Sequence, residues 1–149
     1  MALEYTYEYT YTVRLADTDA AGVLYFANLL RLCHEAYEAA LAAQGCDWRH
    51  WLQQSPVLVP IAHCEADFLA PLFCGDRLQV SLTPQLLQAS EFAVRYQVFS
   101  AEAGSEPGSK LCARARTRHV CIQRATRQRC ALPSPLAEWV QPGPKPDQP

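Results

Sequence analysis

Ala16-Asp-Thr-Asp-Ala-Ala-Gly-Val-Leu-Tyr-Phe-Ala-Asn28 joins two segments of different periodicity. Before it, residues 3–15 alternate without a break, with Leu3, Tyr5, Tyr7, Tyr9, Tyr11, Val13 and Leu15 on one face and Glu4, Thr6, Glu8, Thr10, Thr12 and Arg14 on the other. A period of two in aromatic and β-branched residues predicts a half-buried strand, whose tyrosines serve a core or a subunit-facing surface. After it, Phe26, Leu29, Leu30, Cys33, Ala36, Tyr37, Ala40 and Leu41 recur at helical spacing. The expected helix runs from Tyr25 to Gln44 and is closed by Gly45 as the residue beyond the C-cap. Asn28, Arg31, His34, Glu35 and Glu38 form its polar side. Two carboxylates, Asp17 and Asp19, therefore stand at the mouth of a long helix. There an acid either caps the free N–H groups or uses them as half of a reactive site.

The remainder reads as strands. Asp47–Leu52 is a short helical turn or loop before Pro56, Val57–Leu69 an apolar-rich run interrupted by Pro60, and Ala70–Asp76 a turn. Arg77–Leu87 and Glu91–Ser100 alternate, Glu102–Ser109 is a Gly/Ser/Pro hairpin connection, and Lys110–Gln123 is a long last strand. One strand, one long helix and four strands make an α+β fold with an antiparallel sheet. Residues 1–140 are expected to form one domain, and the Pro-rich tail 141–149 to be disordered.

Half of the residues are hydrophobic and 19% are charged, as in a globular chain, and the net charge of -2 argues against a general binder of nucleic acid or of anionic membranes. From Lys110 onward, however, eight Lys/Arg (Lys110, Arg114, Arg116, Arg118, Arg124, Arg127, Arg129, Lys145) face Glu138 and Asp147, a local basic patch suited to a phosphorylated small molecule. The seven cysteines make no C-x-x-C pair, no signal peptide is legible, and no apolar run reaches membrane-spanning length. Free thiols in a reducing cytoplasm, mostly as small core residues, are expected, with no metal site.

Strand, D-T-D-A-A-G-V-L-Y-F and long helix, followed by Glu65-Ala-Asp-Phe-Leu-Ala-Pro-Leu-Phe-Cys-Gly-Asp76, resemble the hotdog-fold acyl-CoA thioesterases of the 4-hydroxybenzoyl-CoA thioesterase family. Leu15-Ala-Asp-Thr-Asp with Cys33-His-Glu-Ala-Tyr-Glu38 most resembles the cyanobacterial branch acting on 1,4-dihydroxy-2-naphthoyl-CoA in phylloquinone synthesis. The resemblance implies a sheet wrapped around one central helix, in a dimer joined sheet edge to sheet edge with the site between subunits, and beyond it a tetramer. It implies that Asp19 is the reacting carboxylate, as nucleophile or general base, and that the Phe26 backbone N–H is the donor to the thioester oxygen. Gly22 lets the chain approach closely. It implies no cofactor, coenzyme A being a product; the lack of a long apolar run predicts no membrane insertion.

Asp17 is read as the residue that holds the turn. Glu35 is a possible second acid, although it also fits an i,i+4 pair with Arg31. Tyr25 and His63 are candidate substrate-lining residues. Arg114, Arg116 and Arg118 share one face of the last strand, opposite Ala113, Ala115 and Thr117, and are candidates for the coenzyme A phosphates. The alternatives are a thioesterase for short-chain or 4-hydroxybenzoyl esters, a non-catalytic acyl or carrier-protein binding module, and a nucleic-acid binder using the arginine strand.

Overall fold

The computed structural model describes residues 6–101 and 110–141. The start of the expected first strand, the expected loop 102–109 and residues 142–149 of the expected tail lie outside them. Within the described residues β1 spans Tyr7–Thr12, and its tyrosines are half-buried while Glu8, Thr10 and Thr12 are exposed, as alternation requires. A 3-10 turn at Leu15–Asp17 leads to α1, Phe26–Ala43, with Tyr25 as N-cap; Gly45 follows at φ +91°. Next come α2 (Trp48–Gln54), β2 (Val57–Leu58), β3 (Ile61–Phe68), β4 (Arg77–Gln88), β5 (Glu91–Ser100), β6 (Lys110–Val120), β7 (Ile122–Gln123) and α3 (Leu136–Val140).

The five long strands form one antiparallel sheet in the order β1-β4-β5-β6-β3, and β2 pairs with β7. β1 and β3, which flank α1, α2 and β2 in sequence, lie at opposite edges. Leu29, Leu32, Cys33, Ala36, Tyr37, Ala40 and Leu41 of α1 are buried with Val80, Leu82, Val94, Tyr96, Val98, Ala113 and Ala115 from the sheet. The three alanines Ala36, Ala113 and Ala115 carry little side-chain bulk between helix and sheet. At roughly 1.5 Å per residue the helix is on the order of 27 Å long, and it packs over the β1 side of the sheet and its centre. This is the helix-wrapped antiparallel sheet that the resemblance implies.

Several expectations need correction. Phe26, placed on the apolar helical face by its spacing, is 62% exposed and Leu32 is buried instead; Phe26 opens the helix, ahead of the turn on which the buried stripe begins. The Lys110–Gln123 strand breaks at Cys121, whose N–H bonds to Ser90 O, and its last two residues turn away to β2. α3 was not anticipated: its five residues are too short for a periodic signal, but Leu136, Trp139 and Val140 are buried, with Trp139 edge-on to Phe92 and Tyr37. The cysteines are less central than expected. Cys33, Cys112 and Cys121 are buried, Cys46 and Cys130 are intermediate, and Cys64 and Cys74 are exposed. The part of the apolar-rich run that became β3 is exposed along almost its whole length: unlike β1, the other edge strand, it lies beyond the cover of α1.

Candidate active site

The Asp-Thr-Asp segment folds as a small hairpin laid against the start of α1. Thr18 pairs with Leu24, Asp19 N–H donates to Val23 O at 2.9 Å, and Gly22 N–H donates to Asp19 O at 3.0 Å. The turn therefore runs Asp19-Ala-Ala-Gly22 and closes through a residue at φ +80°, a left-handed conformation that glycine adopts without a Cβ penalty. A Cβ at Gly22 would meet nothing within 4 Å, so in this chain the backbone turn, rather than crowding, calls for glycine. One oxygen of the Asp19 side chain accepts the Ala21 N–H at 2.8 Å and the Val23 N–H at 3.4 Å. The carboxylate is thus aimed by its own turn.

Asp17 is held differently. It is only 5% exposed, and it is covered by its hydrogen-bonding partners rather than sunk among apolar side chains. Oδ2 accepts the Tyr11 hydroxyl at 2.7 Å and the Arg14 N–H at 2.8 Å, and Oδ1 pairs with the Arg31 guanidinium. Burial alone pushes the Asp17 carboxyl upward, but the Arg14 N–H, the Tyr11 hydroxyl and the Arg31 charge outweigh it and hold the group below the usual range. Its backbone carbonyl accepts the Tyr25 N–H at 2.9 Å and the Asn28 side-chain amide at 2.8 Å. Asp17 therefore staples the hairpin to the first turn of α1. The sequence reading of Asp17 as a turn-holding residue describes this role.

Through that staple the hairpin and the helix end share one place. The Asn28 N–H closes back on Tyr25 O at 2.9 Å, while the Phe26 N–H meets no acceptor among the described residues. A free N–H at the positive end of an 18-residue helix beside an aimed carboxylate can stabilise an oxyanion while the acid, or a water it activates, attacks. Tyr25 and Phe26 present exposed rings 4.7 Å apart, edge to face. A cavity of about 260 Å³ opens along Val23, Leu24, Phe68, Leu69 and Pro71 next to the hairpin.

The other candidates lie elsewhere. Glu35, two turns along α1, accepts the Tyr9 hydroxyl at 3.3 Å and pairs with Arg31, so its carboxylate belongs to the Asp17 network. His63 is exposed on β3, 3.7 Å from Glu65. Arg114, Arg116 and Arg118 occupy the sheet face opposite α1, since Ala113, Ala115 and Thr117 between them are buried in the core. Within one chain the sheet separates them from Asp19. Arg118 is tied to Glu91 at 2.8 Å, and Glu91 also accepts Arg129 at 2.9 Å; hydrogen bonds from Arg118, Gln88 and Arg129 hold the Glu91 carboxyl down to about 2. Arg114 lies 3.5 Å from Asp67, and it borders a polar basin of about 520 Å³ with Arg95, Arg116 and Glu65.

Two features were not read from the sequence. One is the Tyr11–Asp17–Arg31–Asn28 network, for which no local spacing gives a signal because β1 and α1 meet only in the fold. The other is a cavity of about 320 Å³ lined by His34, Tyr37, Trp48, Trp51, Leu52, Leu58 and Val59. Trp48 and Trp51, three apart in a helical turn, are its one sequence trace. Behind it, His119 is stacked between Phe92 (4.6 Å) and Tyr37 (4.9 Å) and bonds Thr117 Oγ1 at 2.9 Å. Burial first, and then His34, push His119 down to about 4 against the opposing pull of the Val59 backbone, so it stays neutral at pH 7. Among the described residues no three His, Cys, Asp or Glu side chains are grouped to hold a metal ion, and no helix is long and apolar enough to cross a membrane.

The family model described as the thioesterase-like superfamily matches residues 13–140. A 1,4-dihydroxy-2-naphthoyl-CoA hydrolase of Picosynechococcus sp. is 48% identical over 139 residues, 93% of this chain and 94% of its own. A protein of the same name from Rippkaea orientalis is 49% identical over 134 residues, 90% of this chain and 94% of its own. The crystal structure of a 1,4-dihydroxy-2-naphthoyl-CoA thioesterase from Synechocystis is 39% identical, superimposes with a TM-score of 0.84, and covers 91% of this chain and 96% of its own.

Proposed function

This chain belongs to the thioesterase-like superfamily, and we propose that it hydrolyses the thioester of 1,4-dihydroxy-2-naphthoyl-CoA, in the cytoplasm and as a step of phylloquinone synthesis. The names of its relatives support the substrate. The observation that carries the chemistry is the pairing of Asp19, aimed by the Ala21 and Val23 N–H groups, with the open N-terminus of α1.

The carbonyl oxygen of the thioester accepts the Phe26 N–H, and negative charge developing there is stabilised by a preorganised donor and the helix dipole. Asp19 either attacks the carbonyl carbon, expelling the CoA thiolate and leaving an acyl-aspartyl anhydride that water opens, or removes a proton from the attacking water directly. Both routes consume one water and release carboxylate and CoA thiol. A thiolate leaves readily, with a thiol pKa of roughly 8.5 for cysteine as a guide, so the site needs no strong acid. No cofactor enters the scheme.

The site is completed in a homodimer. β3 is an exposed edge with unpaired backbone groups, and Ile61, Phe68 and Leu69 lie open on and beside it, a template for pairing with a second copy. Isologous antiparallel pairing of two β3 edges sets the start of one strand beside the end of the other. The aromatic cavity, which includes Leu58 and Val59 ahead of β3, then approaches the hairpin cavity, which includes Phe68 and Leu69 after it. A flat bicyclic acyl group suits such an aromatic-lined slot, with His63 near its mouth. A tetramer follows by association of two dimers. Arg114 and Arg116 are retained as contacts for the CoA phosphates arriving over the outer face; Arg118 is engaged by Glu91.

The test is a panel of aromatic and aliphatic acyl-CoA esters followed by thiol release, with wild type and Asp19→Asn in parallel. Aromatic esters should be preferred, and Asp19→Asn should lose on the order of 10²- to 10⁴-fold in turnover. Unchanged turnover in Asp19→Asn removes the mechanism; preference for aliphatic esters removes the substrate while leaving the fold.

A further inference from the structure

We propose that Arg31 is a positioning residue for this hydrolysis: its guanidinium clamps Asp17 and Asn28 together, and so fixes the Asp19 hairpin against the oxyanion-binding end of α1. The inference rests on the reading of Asp19 as the reacting acid.

Arg31 sits one turn inside α1, and its side chain is 41% exposed. Viewed alone, it is half of a surface i,i+4 pair with Glu35, an interaction of little consequence. Its other contacts give it a different role. Nη2 pairs with Asp17 Oδ1, and Nε lies 3.5 Å from Asn28 Oδ1. With its oxygen turned toward the guanidinium, the Asn28 amide has its nitrogen at the Asp17 carbonyl, where it donates at 2.8 Å. The Tyr25 N–H bonds to that same carbonyl. One cation thus organises both the side chain and the peptide of Asp17, two residues before Asp19 and one before the Thr18–Leu24 rung of the hairpin.

The reaction asks for a carboxylate oxygen and an N–H on either side of one carbonyl, and a displacement of the order of 1 Å in such a geometry costs about 10²-fold in rate. The Asp19 carboxylate is held within its own turn, through Ala21 and Val23. The second arm of that hairpin is tied to the 70–76 turn by the Val23–Phe73 bridge and the Leu24 N–H to Leu72 O bond at 2.7 Å, and its first arm is tied to the start of α1 through Asp17. The groups facing the Asp17 carboxylate are the Tyr11 hydroxyl from β1, the Arg14 N–H with the Arg14 guanidinium over the Tyr11 ring, and Arg31 from α1. Glu35 balances Arg31 from the far side and is itself bonded by the Tyr9 hydroxyl. Of these partners Arg31 contributes a cation directly bonded to the carboxylate. Without it, a covered carboxylate keeps only uncharged hydrogen-bond donors and protonates at higher pH.

The experiment compares wild type, Asp19→Asn, Arg31→Gln and Arg31→Lys in thiol release from an aromatic acyl-CoA between pH 3 and 9, with thermal unfolding recorded for each across the same range. Arg31→Gln should lower kcat on the order of 10- to 100-fold with KM within about twofold of wild type, the pattern of an interaction that acts in the transition state. Its acid limb should move to higher pH, and Arg31→Lys should recover part of kcat and return the limb toward wild type. A folded Arg31→Gln with wild-type kcat and an unmoved acid limb overturns the clamp while Asp19 stands. Where Arg31→Gln does not fold, Arg31→Lys carries the test: a partial fall in kcat at constant KM supports the clamp, and wild-type behaviour overturns it. Absence of hydrolysis by wild type, or full activity of Asp19→Asn, overturns the reading beneath the clamp and the clamp with it.

Discussion

Replacing Asp17 by Asn keeps the shape of the staple and removes its charge. In the folded chain the Asp17 carboxylate accepts Tyr11 and Arg14 hydrogen bonds and an Arg31 pair at 5% exposure. A carboxamide has one acceptor oxygen in place of two, so at least one of these three donors loses its acceptor and faces the NH₂ group instead. Breaking a fully buried ion pair costs about 3–5 kcal/mol, and a hydrogen bond to a charged group contributes about 1.5–3 kcal/mol. Because Arg31 is half open to water, the lower part of that range applies, and we expect a loss of about 2–3 kcal/mol at pH 7. For a domain of this size that lowers the melting temperature by roughly 4–12 °C. The pH dependence supplies the decisive check. The folded-state pKa of Asp17 is depressed, so its stabilisation is fully present above the unfolded value and is lost as pH falls through the folded one. The gap between wild type and Asp17→Asn should therefore be constant from neutral pH down to the unfolded carboxylate range and then close. The assay is urea unfolding at fixed protein concentration over a pH series. A gap below about 1 kcal/mol at pH 7, or one that persists unchanged in acid, would refute the account of Asp17 as a charged staple.

Gly22→Ala should cost about 1–2 kcal/mol through the left-handed backbone at φ +80° and lower kcat by moving the Asp19 turn; equal melting and equal turnover would contradict it. The neutral His119, pushed down to about 4 from an ordinary value of 6.5, contributes stability that is present above pH 6.5 and is lost as pH falls toward 4. His119→Leu should accordingly be less acid-sensitive across that window, read by chemical unfolding at pH 7 and pH 4.5. Ala66→Pro, in the middle of the exposed β3 edge, should shift sedimentation toward monomer and reduce thiol release together; an unchanged assembly would rule out β3 as the joining edge. The double change Arg114→Ala/Arg116→Ala should raise KM for acyl-CoA at constant kcat, and an unaltered KM would free the outer face of any role in CoA binding.

Much of the architecture could be read from local patterns because local physics sets it. Alternation from Tyr7 to Thr12 yields a strand, and apolar spacing from Leu29 to Leu41 with Gly45 beyond yields a helix of the expected extent. The order of strand, acid-rich turn and long helix was enough to find the family. What escaped was short or depended on partners distant in sequence. α3 has too few residues for a period to show, and the Cys121 break depends on an acceptor at Ser90.

The division between the two acids shows where sequence reading ends. Composition and spacing place Asp17 and Asp19 on one turn ahead of one helix, and Gly22 at the only kind of position that closes it. Which of them is covered and which is aimed outward depends on Tyr11 from β1 and Arg31 from α1, residues that meet Asp17 from opposite sides in sequence. The same holds for the arginines of β6. Alternation puts all three on one face, but only the sheet order makes that the face away from α1 and brings Glu91 to Arg118. Backbone periodicity is a property of neighbours along the chain; the environment of a charge is set by whatever the fold brings beside it.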